Sequence, residues 1–309
     1  MQHASLAVPV AVIGEALVDE FHDGAIAGGA PFNVARSLAT LGAPTLFISR
    51  IGADDANGRL VLKSGEAYGL DSAGLQRDTV HATGRVSVHE RPGAGHTFEI
   101  HGDAAWDHFD ATAALDALQS HPAQLAYFGT LAQRSPASRA ALRAVMKSFK
   151  GRRLLDLNLR DGPDNRLLAA ESLMLADWLK VNDDELDQLT AWFDAPRGHE
   201  VASLMARFAL QRIVVTRGPD GWSLYGEGGQ LLAEGTGTPQ PNMVDTVGAG
   251  DSFTAMLLAG LSLGRDLRAT LALANQYASF ICGLRGPLPA DANVLQPWRI
   301  ALHSLPPSP

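Results

Sequence analysis

A loop of small residues that ends in a carboxylate has the clearest chemical potential in this sequence. Residues 245–251 read Asp-Thr-Val-Gly-Ala-Gly-Asp, and an apolar helical pattern follows at once. Free backbone N–H groups at Ala249, Gly250 and Asp251, with the positive end of the helix dipole, would form an anion site. Gly248 and Gly250 also let the backbone approach a phosphate closely. A carboxylate beside a phosphate needs a chemical role, and we expect Asp251 to be a general base toward an attacking hydroxyl.

The composition narrows the class of protein. With 309 residues, 46% of them hydrophobic, the chain can form one large α/β domain or two small ones. The net charge of −8 argues against nucleic acid or an anionic membrane surface as the main partner. Cys282 is the only cysteine, which excludes an intrachain disulfide and fits a reducing compartment. No signal-type segment precedes Pro9 and no apolar run is long enough to span a bilayer, so we expect a cytoplasmic protein.

Short apolar runs alternate with helical patterns along the chain. The runs predict strands at 8–14, 45–51, 124–128, 153–157, 177–181 and 211–216. The helical patterns predict helices near 31–41, 55–68, 136–149, 183–192, 199–208, 249–262 and 267–284. Strands separated by helices imply a mostly parallel sheet that is covered on both faces. Ligands of such sheets bind beyond the carboxyl ends of the strands, where the candidate motifs of this chain lie.

Two segments depart from this alternation of strands and helices. Residues 80–102 alternate between apolar and polar around Pro92-Gly93-Ala94-Gly95, which predicts an antiparallel hairpin outside the main sheet. Residues 213–234 predict a strand followed by a second hairpin, with turns at 219–221 and 226–229.

The seven residues 245–251 resemble the C-terminal signature of the ribokinase-like (PfkB) sugar kinases, and the resemblance extends over about residues 10–290. It implies a ribokinase-like three-layer α/β/α sandwich with a mostly parallel central sheet and a small β lid. Residues 1–309 would form one such domain, with the lid from about 16–28 and 80–102. The implied activity is ATP-dependent transfer of the γ-phosphoryl group to a primary hydroxyl of a small sugar. Asp251 would be the general base, and the loop from Gly248 to Asp251 the anion hole.

The resemblance also implies a sugar site near the N-terminus. Residues 14–19, Gly-Glu-Ala-Leu-Val-Asp, resemble the family's first strand, which ends in a sugar-binding Asp, here Asp19. Residues 28–35, Gly-Gly-Ala-Pro-Phe-Asn-Val-Ala, resemble its Gly-Gly…Asn-x-Ala motif. Gly28 and Gly29 would let the backbone approach the sugar, while Asn33 can both donate and accept. An ordinary turn before a helix is the alternative for the two glycines.

A third segment, Asp156-Leu157-Asn158-Leu159-Arg160, follows a predicted strand. Alternation along a strand places Asp156, Asn158 and Arg160 on one face. The segment resembles the Asp-x-Asn-x-Arg of fructokinases and of 2-keto-3-deoxygluconate kinases, which directs Asn158 and Arg160 toward the sugar or the phosphoryl group. The alternative is a polar strand end with a surface ion pair.

A magnesium site is expected at residues 182–185, Asn-Asp-Asp-Glu, which resemble the family's Asn-x-x-Glu motif. Glu185 would hold Mg²⁺ through waters, because this ion keeps much of its hydration shell. The same residues also fit a helix start capped by Asn182, and both interpretations can hold together.

The nucleotide site is expected along residues 214–221, which resemble the family's nucleotide-edge motif. Thr216 and Gly218 would lie near the ATP phosphates, and Gly221 would shape the hairpin. For Arg217 we favour an exposed charge at the strand end over a phosphate clamp.

Two further features of the nucleotide end follow from the resemblance. Asn275 lies on the helix that the family places beside the adenine, and loop 283–289 closes the other side. In relatives this loop and the first Asp of the signature frame a monovalent cation site. Asp245 and the carbonyl of Val247 are therefore candidate ligands of K⁺.

Fructose is the first expectation for the sugar, because both N-terminal motifs look most like those of fructokinases. Relatives that act on keto-deoxy acids use an additional Arg near the end of the lid hairpin, where this chain has His101-Gly102-Asp103. The alternatives are a 2-keto-3-deoxygluconate kinase, a ribose or nucleoside kinase, and a non-catalytic sugar or nucleotide sensor on the same fold.

The lid segments carry two more expectations. Only eight residues separate Asp19 from Gly28, so the first lid segment is short. A homodimer is one expectation for the oligomeric state, but the short first lid segment argues against dimerisation through the lid. Five of the ten histidines lie at 81, 89, 96, 101 and 108 without metal-ligand spacing, so we expect scattered lid histidines, with His89 or His101 as candidate sugar contacts.

Overall fold

A large mixed sheet lies at the centre of the protein. The computed structural model describes residues 7–91, 95–160 and 165–309. Numbered in chain order, the strands are β1 (Val10–Ile13), β2 (Leu17–Phe21), β3 (Gly24–Gly28), β4 (Thr45–Gly52), β5 (Leu75–Asp78), β6 (Gly84–Arg91), β7 (Gly95–Ile100), β8 (Leu125–Phe128), β9 (Arg152–Asp156), β10 (Trp178–Asn182), β11 (Arg212–Thr216), β12 (Trp222–Tyr225) and β13 (Leu231–Gly235). The main sheet has nine strands in the order β13-β12-β11-β10-β9-β8-β1-β4-β5.

Pairing in the main sheet is mostly parallel. All neighbours from β11 through β5 run parallel, and only the β11–β12 and β12–β13 pairs are antiparallel. The predicted parallel sheet and the hairpin after β11 are therefore confirmed. Because the strand order reverses beside β1, the carboxyl ends of β1, β8 and β9 face the crevice where ligands bind in such sheets.

Helices cover both faces of this sheet. They are α1 (Ala30–Leu41), α2 (Ala56–Ala67), α3 (Ala111–Ser120), α4 (Pro136–Ser148), α5 (Asn165–Leu173), α6 (Asp183–Trp192), α7 (Glu200–Phe208), α8 (Ala249–Ser262), α9 (Leu267–Cys282) and α10 (Gln296–His303). One apolar core joins the sheet to α1, α2, α8, α9 and α10, and a second joins its other face to α3 through α7. Alternation along β1 supplies both cores: Val10 and Val12 enter the first, Ala11 and Ile13 the second.

A small second sheet stands apart from the main one, with the strand order β3-β2-β6-β7. It contains the hairpin predicted at 80–102, since β6 and β7 pair antiparallel from Val86–Ile100 to Arg91–Gly95. The turn predicted at 92–94 lies outside the described residues. In the same sheet β2 pairs antiparallel with β3 and parallel with β6, so both predicted lid segments lie in one structure.

All seven predicted helices are present, each within two residues of its predicted ends. Four elements were not predicted: the short helices α3, α5 and α10 and the four-residue strand β5. Within the described parts of the chain, no helix is both long enough and apolar enough to cross a bilayer.

Candidate active site

The loop before α8 has the geometry of an anion site. Gly248 is the N-cap with φ 79°, and a Cβ there would lie 2.5 Å from Cα of Pro287, so only glycine fits this turn. The N–H of Ala249 reaches the carbonyl of Thr246 at 3.3 Å and is partly occupied. Among the described residues, the N–H groups of Gly250 and Asp251 donate to no backbone carbonyl outside the helix. These two groups are the donors best placed to bind an anion.

The carboxylate of Asp251 is held by a relay of polar side chains. Asn33 on α1 donates from Nδ2 to Oδ2 of Asp251 at 2.8 Å. Arg36, one turn later, donates to Oδ1 of Asn33 at 2.6 Å, which fixes the orientation of the amide. Arg36 also donates to the carbonyl of Ala27 and to Ser64 Oγ, so its buried guanidinium is anchored from three sides. The sequence analysis missed Arg36, although its helical spacing from Asn33 could have indicated it.

The surroundings of Asp251 make it a stronger base than an ordinary carboxylate. Burial raises the pKa of Asp251 to about 6, and the hydrogen bond from Asn33 opposes this. The Asp156 carboxylate raises the pKa further, while the cations Lys180 and Arg160 lower it. A base whose pKa approaches the working pH stays ionised at neutral pH and accepts a proton readily.

Asp19, Gly28 and Gly29 lie together on the predicted sugar side. Asp19 stands on β2, and a Cβ on Gly28, the last residue of β3, would lie 2.6 Å from Oδ2 of Asp19. Gly29 caps α1 with φ 103°, and its Cβ would lie 2.9 Å from the carbonyl oxygen of Glu15. Burial raises the pKa of Asp19 to about 6, against the opposing charges of Arg160 and Arg36. The turn therefore packs directly against the candidate sugar-binding carboxylate.

Glu15 is a buried carboxyl that the sequence analysis did not single out. It follows β1 and is 3% exposed, and its Oε2 has no hydrogen-bond partner among the described residues. Burial raises the pKa of Glu15 to about 7; Arg160 lowers it and Asp251 raises it. Glu15 could have been predicted as a functional residue from its place in the Gly14–Asp19 motif, because burying an acidic residue at the end of a strand costs free energy.

Glu15 should make the protein less stable as the pH rises. Its folded pKa of about 7 exceeds the ordinary 4.5, so the folded state holds a proton that the unfolded chain releases between these values. The free energy of unfolding should therefore fall by about 3 kcal/mol across this window. We expect Glu15→Gln to shrink the loss of stability between pH 5 and pH 8 in urea unfolding. The exposed Glu227→Gln is the control, and an unchanged loss in Glu15→Gln would contradict the assignment.

The Asp156–Arg160 segment departs from its predicted geometry. β9 ends at Asp156, and Asn158 adopts a left-handed φ of 37°, so the expectation that residues 156, 158 and 160 share a strand face is wrong. Asp156 is instead buried, where it accepts hydrogen bonds from Lys180 Nζ at 3.1 Å and Thr254 Oγ1 at 2.9 Å. That contact also rules out a surface ion pair at this carboxylate.

Arg160 lies at the surface, where its charge lowers the pKa of three carboxyl groups, those of Glu15, Asp19 and Asp251. The positive charge of Arg160 therefore acts on both the predicted sugar-binding carboxylate and the predicted catalytic carboxylate.

Asn182 and Glu185 form a capping box at the start of α6. Asn182 Oδ1 accepts from the N–H of Glu185 at 2.7 Å, and Glu185 Oε2 accepts from the N–H of Asn182 at 2.9 Å. Glu185 Oε1 accepts from the N–H of Leu159 at 3.1 Å, which ties α6 to the segment after β9. Burial raises the pKa of Glu185, and the charge of Lys180 opposes this. The predicted helix cap is thus present, and each carboxylate oxygen keeps a lone pair for a metal-bound water.

The predicted nucleotide edge lies at the end of β11. Thr216 is half-buried, and Gly218 has φ 48° with open space where a side chain would stand. Gly221 has φ 100°, and its Cβ would lie 2.0 Å from the carbonyl oxygen of Gly235, so it shapes the turn as predicted. Arg217 is half-buried and donates to Ser223 Oγ at 2.8 Å. The favoured interpretation of Arg217 as an exposed charge is therefore wrong, because the neighbouring strand β12 supplies it with a partner.

Asn275 and Asp245 join neighbouring segments at the same end. Asn275 donates to the carbonyl of Thr236 at 3.2 Å and to Thr238 Oγ1 at 2.9 Å. Asp245 accepts from the N–H of Val247 at 3.0 Å and from that of Gly286 at 3.3 Å. The signature loop and the loop after α9 are therefore connected through one carboxylate.

Comparisons with known proteins identify the family of this chain. Residues 11–291 match the pfkB family of carbohydrate kinases. The probable fructokinase-5 of Arabidopsis thaliana is 30% identical over 290 residues, which cover 87% of each chain.

Two solved structures share the fold. A fructokinase double mutant from Vibrio cholerae O395, in its fructose, ADP and potassium ion bound form, is 25% identical with a TM-score of 0.76, covering 95% of this chain and 99% of its own. A putative ribokinase II from Escherichia coli, in complex with ATP and Mg²⁺, is 23% identical with a TM-score of 0.79 and the same coverage. The predicted ribokinase-like fold and sugar phosphotransferase class are confirmed, and this chain belongs to the pfkB family of carbohydrate kinases.

Proposed function

We propose that this protein is an ATP-dependent fructokinase in which Asp251 is the general base. The observation that carries the proposal is the position of Asp251: a carboxylate with a pKa of about 6 stands at the N-terminus of α8, beside two available N–H donors. A base and an anion site side by side are what transfer of a phosphoryl group to a hydroxyl needs.

The chain's own residues would divide the work as follows. Asp19 and Asn33 orient the sugar so that its primary hydroxyl faces Asp251, which accepts the hydroxyl proton. The N–H groups of Gly250 and Asp251 stabilise negative charge on the transferred phosphoryl group. The positive charge of Arg160 offsets the negative charge of the Glu15, Asp19 and Asp251 carboxyl groups. The small sheet would act as a lid that excludes water from this site.

The residues present fit ATP, Mg²⁺ and K⁺. Glu185 has both oxygens engaged by backbone N–H groups, so it suits a hydrated Mg²⁺ held through waters better than a directly bound ion. When bound, that ion neutralises charge on the phosphates. Thr216, Gly218 and Asn275 border the proposed nucleotide site, and Gly218 leaves room for a phosphate. Asp245, with the Val247 carbonyl, would hold K⁺ between the two loops that this carboxylate connects.

The choice of a neutral sugar is supported by the end of the small sheet. One guanidinium beside His101 is that of Arg134, which donates to the carbonyl of His101 at 2.6 Å. It also binds both carboxylate oxygens of Asp107 and stacks 3.9 Å from the ring centre of Trp106. A guanidinium with these commitments is not available to a sugar carboxylate.

ADP release with Mg·ATP tests the substrate across fructose, ribose, 2-keto-3-deoxygluconate and adenosine, each with K⁺ or Na⁺. We expect the highest kcat/KM on fructose and a further increase with K⁺. A higher value on the keto-deoxy acid, ribose or adenosine would replace fructose by that substrate. No turnover on any of them, with tight ATP binding, would favour a non-catalytic sensor.

Replacement of Gly28 tests the sugar site. The Gly28→Ala side chain would displace the Asp19 carboxylate, whose Oδ2 lies 2.6 Å from the added Cβ. We expect kcat/KM for the sugar to fall about 10- to 100-fold, the scale of a small misplacement, with KM for ATP unchanged. Gly102→Ala is the control, because its Cβ would meet no atom within 4 Å. Unchanged sugar kinetics in Gly28→Ala would remove Asp19 from the sugar site.

A further inference from the structure

Two histidines and a carboxylate meet at the base of the small sheet. His81 precedes β6, Asp103 follows β7, and His108 ends the short 3-10 helix Ala105–His108. The two imidazole rings stack with centroids 3.5 Å apart and an angle of 11°. Asp103 Oδ1 lies 2.8 Å from Nε2 of His108 and 3.8 Å from Nε2 of His81. The expectation of scattered lid histidines is therefore wrong for this pair, because the fold unites residues that are far apart in sequence.

The ring of His81 is held by a buried carboxylate behind it. Asp78 Oδ2 lies 3.1 Å from Nδ1 of His81, and Oδ1 accepts from the N–H groups of Val80 and His81. Arg50 Nε donates to the same carboxylate at 2.8 Å. A carboxylate acceptor at Nδ1 favours the proton on that nitrogen and leaves Nε2 of His81, 3.8 Å from Oδ1 of Asp103, free to bind an ion.

We propose that His81, Asp103 and His108 form a binding site for one divalent transition-metal ion, with Zn²⁺ as the best-suited ion. Two imidazole nitrogens and one carboxylate are a ligand set that Zn²⁺ accepts, with water in the fourth position. The arrangement of Asp78, His81 and the ion would reproduce the carboxylate–histidine–metal pattern of such sites. The site is independent of the kinase proposal, since none of its residues is assigned to sugar, ATP or Mg²⁺.

To bind one ion, the ligand atoms would have to move closer together and the two stacked rings would have to rotate, because each nitrogen lone pair lies in the plane of its ring. One ligand atom from each residue lies within 4.8 Å of the others. Ligands of a tetrahedral ion with bonds of about 2.0–2.2 Å stand about 3.3–3.6 Å apart. Asp103 is exposed and His81 and His108 are half-buried, so their side chains can close this gap without rearranging the core.

The position of the site suggests what the ion does. His81 and Asp103 lie on the two connections that flank the β6–β7 hairpin, while the helix of His108 is fixed to the main body. Trp106 in that helix accepts a hydrogen bond at its carbonyl from Ser138 Oγ, and Asp107 pairs with Arg134. A bound ion would therefore tie both hairpin connections to the body and limit movement of the small sheet.

Calorimetry with Zn²⁺ and visible absorption with Co²⁺ test the site, on the full chain without a histidine tag and without ATP or sugar. We expect one ion per chain, a tetrahedral Co²⁺ spectrum, and an affinity lowered at least about tenfold in both His81→Gln and His108→Gln. His121→Gln, on an exposed histidine at the end of α3, should bind like the wild type.

No stoichiometric binding by the wild type, or an affinity equal to that of the wild type in both folded variants, would overturn the metal site. Circular dichroism identifies a variant that fails to fold, in which case the other histidine variant decides. Because the readout is binding alone, failure here leaves the kinase proposal intact, and a failed kinase assay leaves the metal site intact.

Discussion

Asp251→Asn is expected to lower kcat at least about 10²-fold while the affinities for sugar and ATP stay close to those of the wild type. Asparagine keeps the size of the side chain, but it cannot accept the hydroxyl proton. Steady-state kinetics with the best sugar of the panel measures kcat, and calorimetry measures the two affinities. The wild type should also lose kcat/KM as the pH falls through about 6, because Asp251 becomes protonated.

The control for this variant is Asp116→Asn, which removes an exposed carboxylate on α3 and should leave all three quantities unchanged. A near-normal kcat in Asp251→Asn would remove the residue from the role of base. A loss of sugar or ATP affinity without a loss of kcat would instead make it a binding residue.

Lys180→Met is expected to lower the free energy of unfolding by about 3–5 kcal/mol. Lys180 Nζ lies 3.1 Å from Oδ1 of Asp156, and the two side chains are 7% and 1% exposed. Methionine keeps most of the volume but leaves the Asp156 carboxylate buried, with Thr254 as its remaining side-chain donor in the described part of the chain. Denaturant unfolding at neutral pH measures the change.

Arg153→Met is the matched control for Lys180→Met. The Arg153–Asp177 pair has a similar 2.7 Å contact, but its side chains are 25% and 18% exposed. Water compensates a partner lost at such a site, so its removal should cost only about 1 kcal/mol. If both variants lost the same free energy of unfolding, burial would not make the Asp156–Lys180 pair more important for stability than the exposed pair.

Much of the fold follows from local sequence patterns. Apolar runs between helical periods predicted the parallel strands, and the alternation at 80–102 predicted a hairpin outside the main sheet, because both signals depend on near neighbours in the chain. The polar motifs at strand ends were predictable for the same reason: parallel strands bring their carboxyl ends to one edge. The glycines at 28, 29 and 248 were predicted to let the backbone approach a ligand and Gly221 to shape the hairpin, and a Cβ at any of the four would meet a neighbouring part of the protein.

What could not be predicted depends on contacts between distant residues. The i, i+3 spacing of Asn33 and Arg36 indicates that the two side chains can meet, but not that this contact orients the amide toward Asp251, which is 218 residues away in the sequence. Lys180 lies inside a strand, where a charged residue argues against burial. Its partner Asp156 lies on the neighbouring strand, and this pairing is seen only in the structure. The strand end at Asp156 was missed because alternation alone cannot locate the left-handed Asn158.

Product analysis after incubation with fructose and Mg·ATP would show whether the protein is a fructokinase with Asp251 as its base. Phosphorus NMR and mass spectrometry would follow the nucleotide and the sugar together, with wild type and Asp251→Asn side by side. We expect ADP and a fructose phosphate, esterified at a primary hydroxyl, in equal amounts from the wild type and at least about 10²-fold more slowly from the variant. ADP without a sugar phosphate, or equal rates from both proteins, would contradict this proposal.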